Sequence, residues 1–142
     1  MTKILEQNAS RKPFYHLKKD EKEICKRFIR LADIAGDYWY DVHLESKGLK
    51  IPSHWTKHDI DRWMNLLAKR VDLLVVQEGQ HWIFEITPKL SKASIGGCLT
   101  YKDLYIDQFK PGLPVRMGIV VEMDDPTYHS LLESFGIKLF VV

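Results

Sequence analysis

Two acidic residues stand inside strand-like apolar runs, where a carboxylate is costly. Asp72 interrupts the run Val71–Val76, and Glu85 interrupts the run 82–87. Burying a charged side chain is unfavourable unless it is paired, hydrogen-bonded or bound to a cation. A short loop around Gly79 separates the two runs, so an antiparallel hairpin would bring both carboxylates to one end of a sheet. Two carboxylates offered together suit Mg²⁺ or Mn²⁺, hard cations that prefer oxygen ligands.

Such a cation would activate water and stabilise the charge that develops on a phosphate during hydrolysis. A structural interpretation competes with this one: Asp72 could pair with Arg70 or a nearby lysine, and Glu85 likewise, in an ion-pair network without metal. Glu21 is a third candidate ligand, because it shares a helix face with the apolar Ile24. An acid in the first turn of a helix is also favoured by the helix dipole alone, so this interpretation stays open for Glu21.

The order of these residues resembles the PD-(D/E)XK nuclease family. In that pattern an Asp on one strand is followed by a hairpin, by Glu-x-Lys on the next strand, and by a helix. Here Asp72 is followed by Trp82–Lys89, which contains Glu85, and the segment Ser94–Tyr105 is similar to a helix of small nuclease-like proteins of tailed phages. The resemblance covers roughly residues 39–109. It implies a restriction-endonuclease-like fold, with Asp72 and Glu85 as ligands of Mg²⁺ or Mn²⁺ and DNA as the substrate.

Two positions depart from the family pattern. The catalytic lysine of the family falls on Thr87, and a glutamine often found on the following helix falls on Gly97. In the family that lysine positions or polarises the attacking water, and a neutral threonine hydroxyl cannot supply its positive charge. If the strand stays extended through Pro88, Lys89 lies about 6.6 Å beyond Thr87 on the same face and takes over this catalytic role. Proline tends to end a central strand, which argues against this arrangement.

The remaining patterns predict the elements that position these residues. Helical spacing predicts helices over 20–33, 57–69, 91–108 and 126–135. Apolar and alternating runs predict strands over 38–44, 71–76, 82–87, 117–121 and 137–142. We therefore expect one α/β domain over residues 1–142, with a mixed central sheet flanked by helices and residues 1–19 as an N-terminal arm.

The predicted helix over 57–69 carries an apolar stripe formed by Ile60, Trp63, Met64 and Leu67. Such stripes are the ordinary way in which a helix docks on its domain. We therefore expect Trp63 and Met64 to lie in the core.

Composition limits the partners and the compartment. The 142 residues include 21 Lys and Arg against 19 Asp and Glu, a net charge of +2 that does not by itself indicate a polyanion partner. A DNA-binding surface would need local clustering, for which the candidates are Lys57, Arg62, Lys69, Arg70 and Lys92, although solvated helix faces look the same. The two cysteines show no disulfide or zinc-ligand spacing. We expect no membrane span and no signal peptide, and a place in the host cytoplasm or in a virion.

Two hypotheses from different classes follow. In the first, the chain is a Mg²⁺- or Mn²⁺-dependent phosphodiesterase, an endo- or exonuclease, with Asp72, Glu85 and Glu21 at the metal and Lys89 and Thr87 as catalytic residues. In the second, it is a non-catalytic structural or adaptor component of a phage particle, in the head-tail or neck region. Its partners are then phage structural proteins or further copies of the chain. Both hypotheses use the same fold, and fold alone does not decide function.

Overall fold

A five-stranded mixed sheet forms the centre of this protein, as the sequence predicts. The structure is a computed structural model that describes residues 2–14, 16–66 and 69–142. The strands lie side by side in chain order, namely β1 (Asp37–Leu44), β2 (Lys69–Val76), β3 (His81–Ile86), β4 (Val115–Val121) and β5 (Ile137–Val141). β1, β2 and β3 pair antiparallel, whereas β3, β4 and β5 pair parallel. The predicted hairpin is therefore confirmed, with Asp72 near the start of β2 and Glu85 near the end of β3.

Helices flank both faces of this sheet. They are α1 (Thr2–Asn8), α2 (Lys19–Ala32), α3 (Lys57–Leu66), α4 (Lys92–Phe109) and α5 (His129–Phe135). Phe28 of α2 packs with Phe84 of β3 on one face, and Tyr105 of α4 packs with Ile83 on the other. Neighbouring residues of β3 thus alternate between the two layers, as strand geometry requires. Within the described part of the chain, no helix combines the length and the apolar character that a membrane span requires.

Helix α3 contradicts the prediction that its apolar stripe lies in the core. The Trp63 side chain is 45% exposed and Met64 is 47% exposed. Trp63 stacks on Trp55 of the preceding loop, with ring centroids 5.7 Å apart. The helix therefore packs against its own loop, and helical periodicity alone does not reveal which surface covers the stripe. Leu67, the last residue of the predicted stripe, lies outside the described residues.

The N-terminal segment also differs from the predicted arm. It contains helix α1, whose Leu5 is only 2% exposed and joins the core on the α4 face of the sheet. A single buried leucine in a polar heptapeptide gives no helical periodicity, which is why the sequence does not predict this helix.

The sheet is irregular at the end where the acids lie. The last pair in the β2–β3 ladder is Leu73 with Phe84, so Asp72 and Glu85 follow just outside it. In β1 the register with β2 passes over Asp41, whose φ of 52° lies in the left-handed region that aspartate tolerates better than most residues. These irregularities affect the pairing of β2 with its two neighbours beside Asp41, Asp72 and Glu85, whereas Glu85 stays paired with Ile119 in the parallel β3–β4 ladder.

Candidate functional site

Asp72 and Glu85 line one open pocket together with Glu21 of α2. The pocket has a volume of about 260 Å³ and lies where β2 begins, β3 ends and α4 begins. Its other lining residues are Ile86, Thr87, Ser91, Ala93 and Ser94. The structure thus brings together all three residues that the sequence offers as metal ligands, each from a different element.

Local hydrogen bonds explain how the pocket is formed. The Ile86 N–H donates to Asp72 Oδ2 at 2.9 Å, so this carboxylate replaces a backbone carbonyl at the end of the ladder. Ser91 and Ser94 cap each other at the start of α4, which fixes the first turn of this helix at the pocket. Farther along α4, a Cβ on Gly97 would lie 3.4 Å from Glu85 Oε2. Gly97 therefore packs closely over Glu85 without placing a side chain against it.

Glu85 carries the least compensated charge of the site. Burial, the charge of Asp72 and a side-chain hydrogen bond with Asp72 raise the pKa of Glu85 to about 9. Its Oε2 atom is buried and has no hydrogen-bond partner among the described residues. Burial and the charge of Asp72 also raise the pKa of Glu21. A carboxylate cluster in this state is stabilised by a proton or by a cation that enters it.

Asp72 has a partner that the sequence does not predict. His16 Nε2 lies 2.9 Å from Asp72 Oδ1, and both side chains are 13% exposed. The structural interpretation offered Arg70 as the partner of Asp72, but Arg70 Nη1 lies 3.4 Å from Asp41 Oδ1 instead. Both oxygens of Asp72 are therefore engaged, Oδ1 by His16 and Oδ2 by the Ile86 N–H.

Asp41 is a fourth acid beside the pocket and is only 5% exposed. Its carboxylate lies 3.4 Å from His16 Nδ1, 3.4 Å from His43 Nε2 and 3.4 Å from Arg70 Nη1. Asp41 carries the same sequence signal as Asp72, because it is an acid inside an aromatic and apolar strand. Applying this criterion to the residues of β1 would have identified Asp41 as a candidate site residue. His16 lies in an irregular segment, so no periodicity distinguishes it from the other five histidines.

The two candidate catalytic residues lie in different places. Thr87 lines the pocket, and its hydroxyl donates to the Lys89 carbonyl oxygen at 3.4 Å. Lys89 is exposed and does not line the pocket. β3 ends at Ile86, and Lys89 forms an isolated parallel bridge with Met123. Residues 87–89 therefore do not continue β3, as they would have to do for Lys89 to point toward the acids. The structure therefore does not bring Lys89 to the carboxylates.

The predicted DNA-binding residues do not form one surface around the pocket. Lys92 lies in the first turn of α4 between two pocket-lining residues. Lys69 and Arg70 begin β2, three and two residues before Asp72, whereas Lys57 and Arg62 lie on the exposed side of α3. Among the described residues, no lysine or arginine lines the pocket itself.

The pocket offers carboxylate oxygens, which are the donor atoms that a hard divalent cation prefers. Mg²⁺ commonly takes one or two protein carboxylates and completes its shell with water and phosphate oxygens. Asp72 and Glu85 supply such a pair, and the unpartnered Glu85 Oε2 is a donor that nothing else satisfies. Within residues 2–14, 16–66 and 69–142, however, no three His, Cys, Asp or Glu side chains are arranged so that they could hold a metal together. A cation here would be held by Asp72 and Glu85, with Glu21 lining the same pocket.

Comparison of the chain with protein-family models, with curated proteins and with solved structures found no match.

Proposed function

We propose that this chain is a PD-(D/E)XK nuclease-like protein with a restriction-endonuclease-like fold, and that its site binds Mg²⁺ or Mn²⁺ and acts on the phosphodiester bonds of DNA. The observation that carries the proposal is the convergence of Asp72, Glu85 and Glu21 in one open pocket. The pocket lies at the end of a hairpin that is followed by helix α4 and by a parallel strand. This order of elements agrees with the one that the sequence resemblance implies.

Five of the residues that line the pocket have a role in this proposal. Asp72 and Glu85 hold the cation, which when bound supplies an activated water and stabilises charge on the phosphate. The N-terminal end of α4, with Ser91 as its N-cap and Ser94 in its first turn, presents the positive end of a helix dipole to an anionic phosphate. The Thr87 hydroxyl can donate or accept one hydrogen bond and so orient a water molecule, but it carries no positive charge. We therefore expect cleavage by the natural chain to be slow.

A second function is favoured by the absence of a lysine or arginine from the described lining of this pocket. Without a cation near the attacked phosphate, charge that develops in the transition state is left to the metal alone. In this alternative the chain is a non-catalytic structural or adaptor component of a phage particle. It keeps the carboxylates as part of its fold and cleaves no nucleic acid.

Metal binding is the first test. Calorimetric titration of Mn²⁺ into the wild type should show binding that disappears in Asp72→Asn and in Glu85→Gln, because each substitution removes one charged ligand while keeping its shape. Asp124→Asn is the matched control, since Asp124 is a partly exposed acid paired with His129 outside the pocket. Binding that is absent from the wild type, or unchanged in both site variants, would contradict the proposed metal site.

Restoring the lysine separates the two functions. Thr87→Lys places an ammonium group at a position that lines the pocket, so we expect Mn²⁺-dependent cleavage of single- or double-stranded DNA to rise by about 10²-fold or more. Lys89→Ala is the control and should leave cleavage unchanged, because Lys89 lies outside the pocket. No cleavage in the wild type or in Thr87→Lys, despite Mn²⁺ binding, would favour the non-catalytic alternative.

A further inference from the structure

A segment of the N-terminal region lies along the edge strand β1 and reaches the acid site. We call residues 10–14 and 16–17 the strap. Ser10 and Tyr40 exchange two backbone hydrogen bonds of 2.8 Å. The guanidinium carbon of Arg11 lies 4.5 Å from the centre of the Trp39 ring, and Phe14 packs edge-on against Tyr40. The strap is thereby held on the outer side of the sheet beside Asp41.

The strap ends in a direct contact with the site. His16 Nε2 lies 2.9 Å from Asp72 Oδ1, and His16 Nδ1 lies 3.4 Å from Asp41 Oδ1. The imidazole thus lies between two carboxylates that would otherwise repel each other. It occupies the one Asp72 oxygen that the Ile86 N–H does not use.

We infer that the strap is an autoinhibitory element, in which His16 and a divalent cation compete for Asp72, so that loading of the cation requires His16 to leave. This inference rests on the proposed metal site. It explains why both Asp72 oxygens are engaged while Glu85 Oε2 of the same pocket has no partner among the described residues. Binding that must displace a contact is weakened by the population of the closed state.

The way in which the strap is attached is compatible with its release. Among the described residues, the two Ser10–Tyr40 bonds are the backbone hydrogen bonds that join the strap to the sheet. Phe14 has a φ of 66°, a left-handed conformation that is unfavourable for a residue with a Cβ. Leu17 is 6% exposed and anchors the strap where it meets α2. Residues 10–14 and His16 can therefore leave the sheet while Leu17 stays in the core.

The test is a calorimetric titration of Mn²⁺ into the full-length wild type and His16→Ala. We expect the variant to bind Mn²⁺ about tenfold more tightly, because a hydrogen bond to a charged group no longer competes for Asp72. His129→Ala is the matched control: it removes a histidine paired with an aspartate outside the pocket, and its Mn²⁺ affinity should equal that of the wild type. Circular dichroism checks that each variant is folded.

Hydrogen exchange of the wild type provides an independent measurement that needs no substitution. Saturating Mg²⁺ should speed amide exchange in a peptide over residues 10–17, since the strap leaves the sheet when the cation binds. Equal or weaker Mn²⁺ affinity of His16→Ala, or slower exchange of the strap with Mg²⁺, would overturn the inference while leaving the metal site intact. Absence of Mn²⁺ binding from every variant would instead overturn the proposed function and this inference together.

Discussion

Replacing Glu85 by glutamine should make the protein more stable at neutral pH in the absence of metal. Burial and Asp72 raise the pKa of Glu85 from its ordinary value of 4.5 to about 9. The folded protein therefore keeps the Glu85 proton at pH values where the unfolded chain releases it. Such a group stabilises the fold fully below pH 4.5, and this contribution is lost as the pH rises toward 9. Glutamine has nearly the same shape and no proton to release.

The size of the effect follows from the linkage of protonation to folding. Between pH 5 and pH 7, the free energy of unfolding of the wild type should fall relative to Glu85→Gln by on the order of 3 kcal/mol. Urea unfolding followed by tryptophan fluorescence measures it, because Trp39 and Trp82 are buried. The titration is done in EDTA at pH 5, 6 and 7. Glu78→Gln is the control, since Glu78 lies exposed in the β2–β3 loop and should show no such divergence.

This reasoning would be refuted if the free energies of unfolding of the wild type and of Glu85→Gln changed in parallel from pH 5 to pH 7. That result would mean that Glu85 is ionised in the folded protein without a cation, and that some group of the chain compensates its charge. With saturating Mn²⁺, in contrast, the proposed metal site requires the pH dependence of the wild type to shrink, because the cation replaces the proton.

Three further substitutions test the packing of the sheet and of α4. Gly118→Ala should lower the free energy of unfolding by about 1–3 kcal/mol, because a Cβ there would lie 2.6 Å from the Phe84 ring. Gly96→Ala, with open space around it in α4, should instead raise stability by about 0.5–1 kcal/mol, and equal effects of the two changes would contradict the packing argument. Tyr105→Phe removes the hydroxyl 2.6 Å from His81 Nδ1 and should cost about 1–3 kcal/mol by urea unfolding. An unchanged stability of this variant would show that the His81 ring finds another partner.

The sheet and the pairing of Asp72 with Glu85 could be predicted because they depend on local patterns. Two apolar runs separated by a short polar loop specify a hairpin, and the position of an acid within each run specifies the end of the sheet to which it belongs. The structure places both acids, and Glu21 of the preceding helix, in one pocket. Nothing beyond alternation and turn chemistry was needed for that step.

Tertiary packing could not be predicted from the same patterns. The apolar stripe of α3 has the periodicity of a docked helix, yet Trp63 and Met64 are about half exposed. A helical period reports that a helix is amphipathic, and it does not report whether the sheet or a loop covers its apolar side. The position of Lys89 shows the same limit, since its direction depends on whether β3 continues past Pro88, and the strand ends at Ile86.

The electrostatics of the site depend on which basic side chain contacts which acid, and sequence patterns do not predict these contacts. Arg70 lies two residues before Asp72 in β2, and alternate residues of a strand point to the same face, so the sequence alone favours a contact between them. Arg70 instead meets Asp41 across the β1–β2 pair, and His16 arrives from a distant segment to meet Asp72. Arg70 and His16 thus contact Asp41 and Asp72, whereas the described ion pairs and hydrogen bonds include none between a basic side chain and Glu85. This asymmetry leaves Glu85 as the carboxylate whose charge a proton or a cation would compensate. Under the proposed metal site, the contact between His16 and Asp72 is the one that a cation would displace.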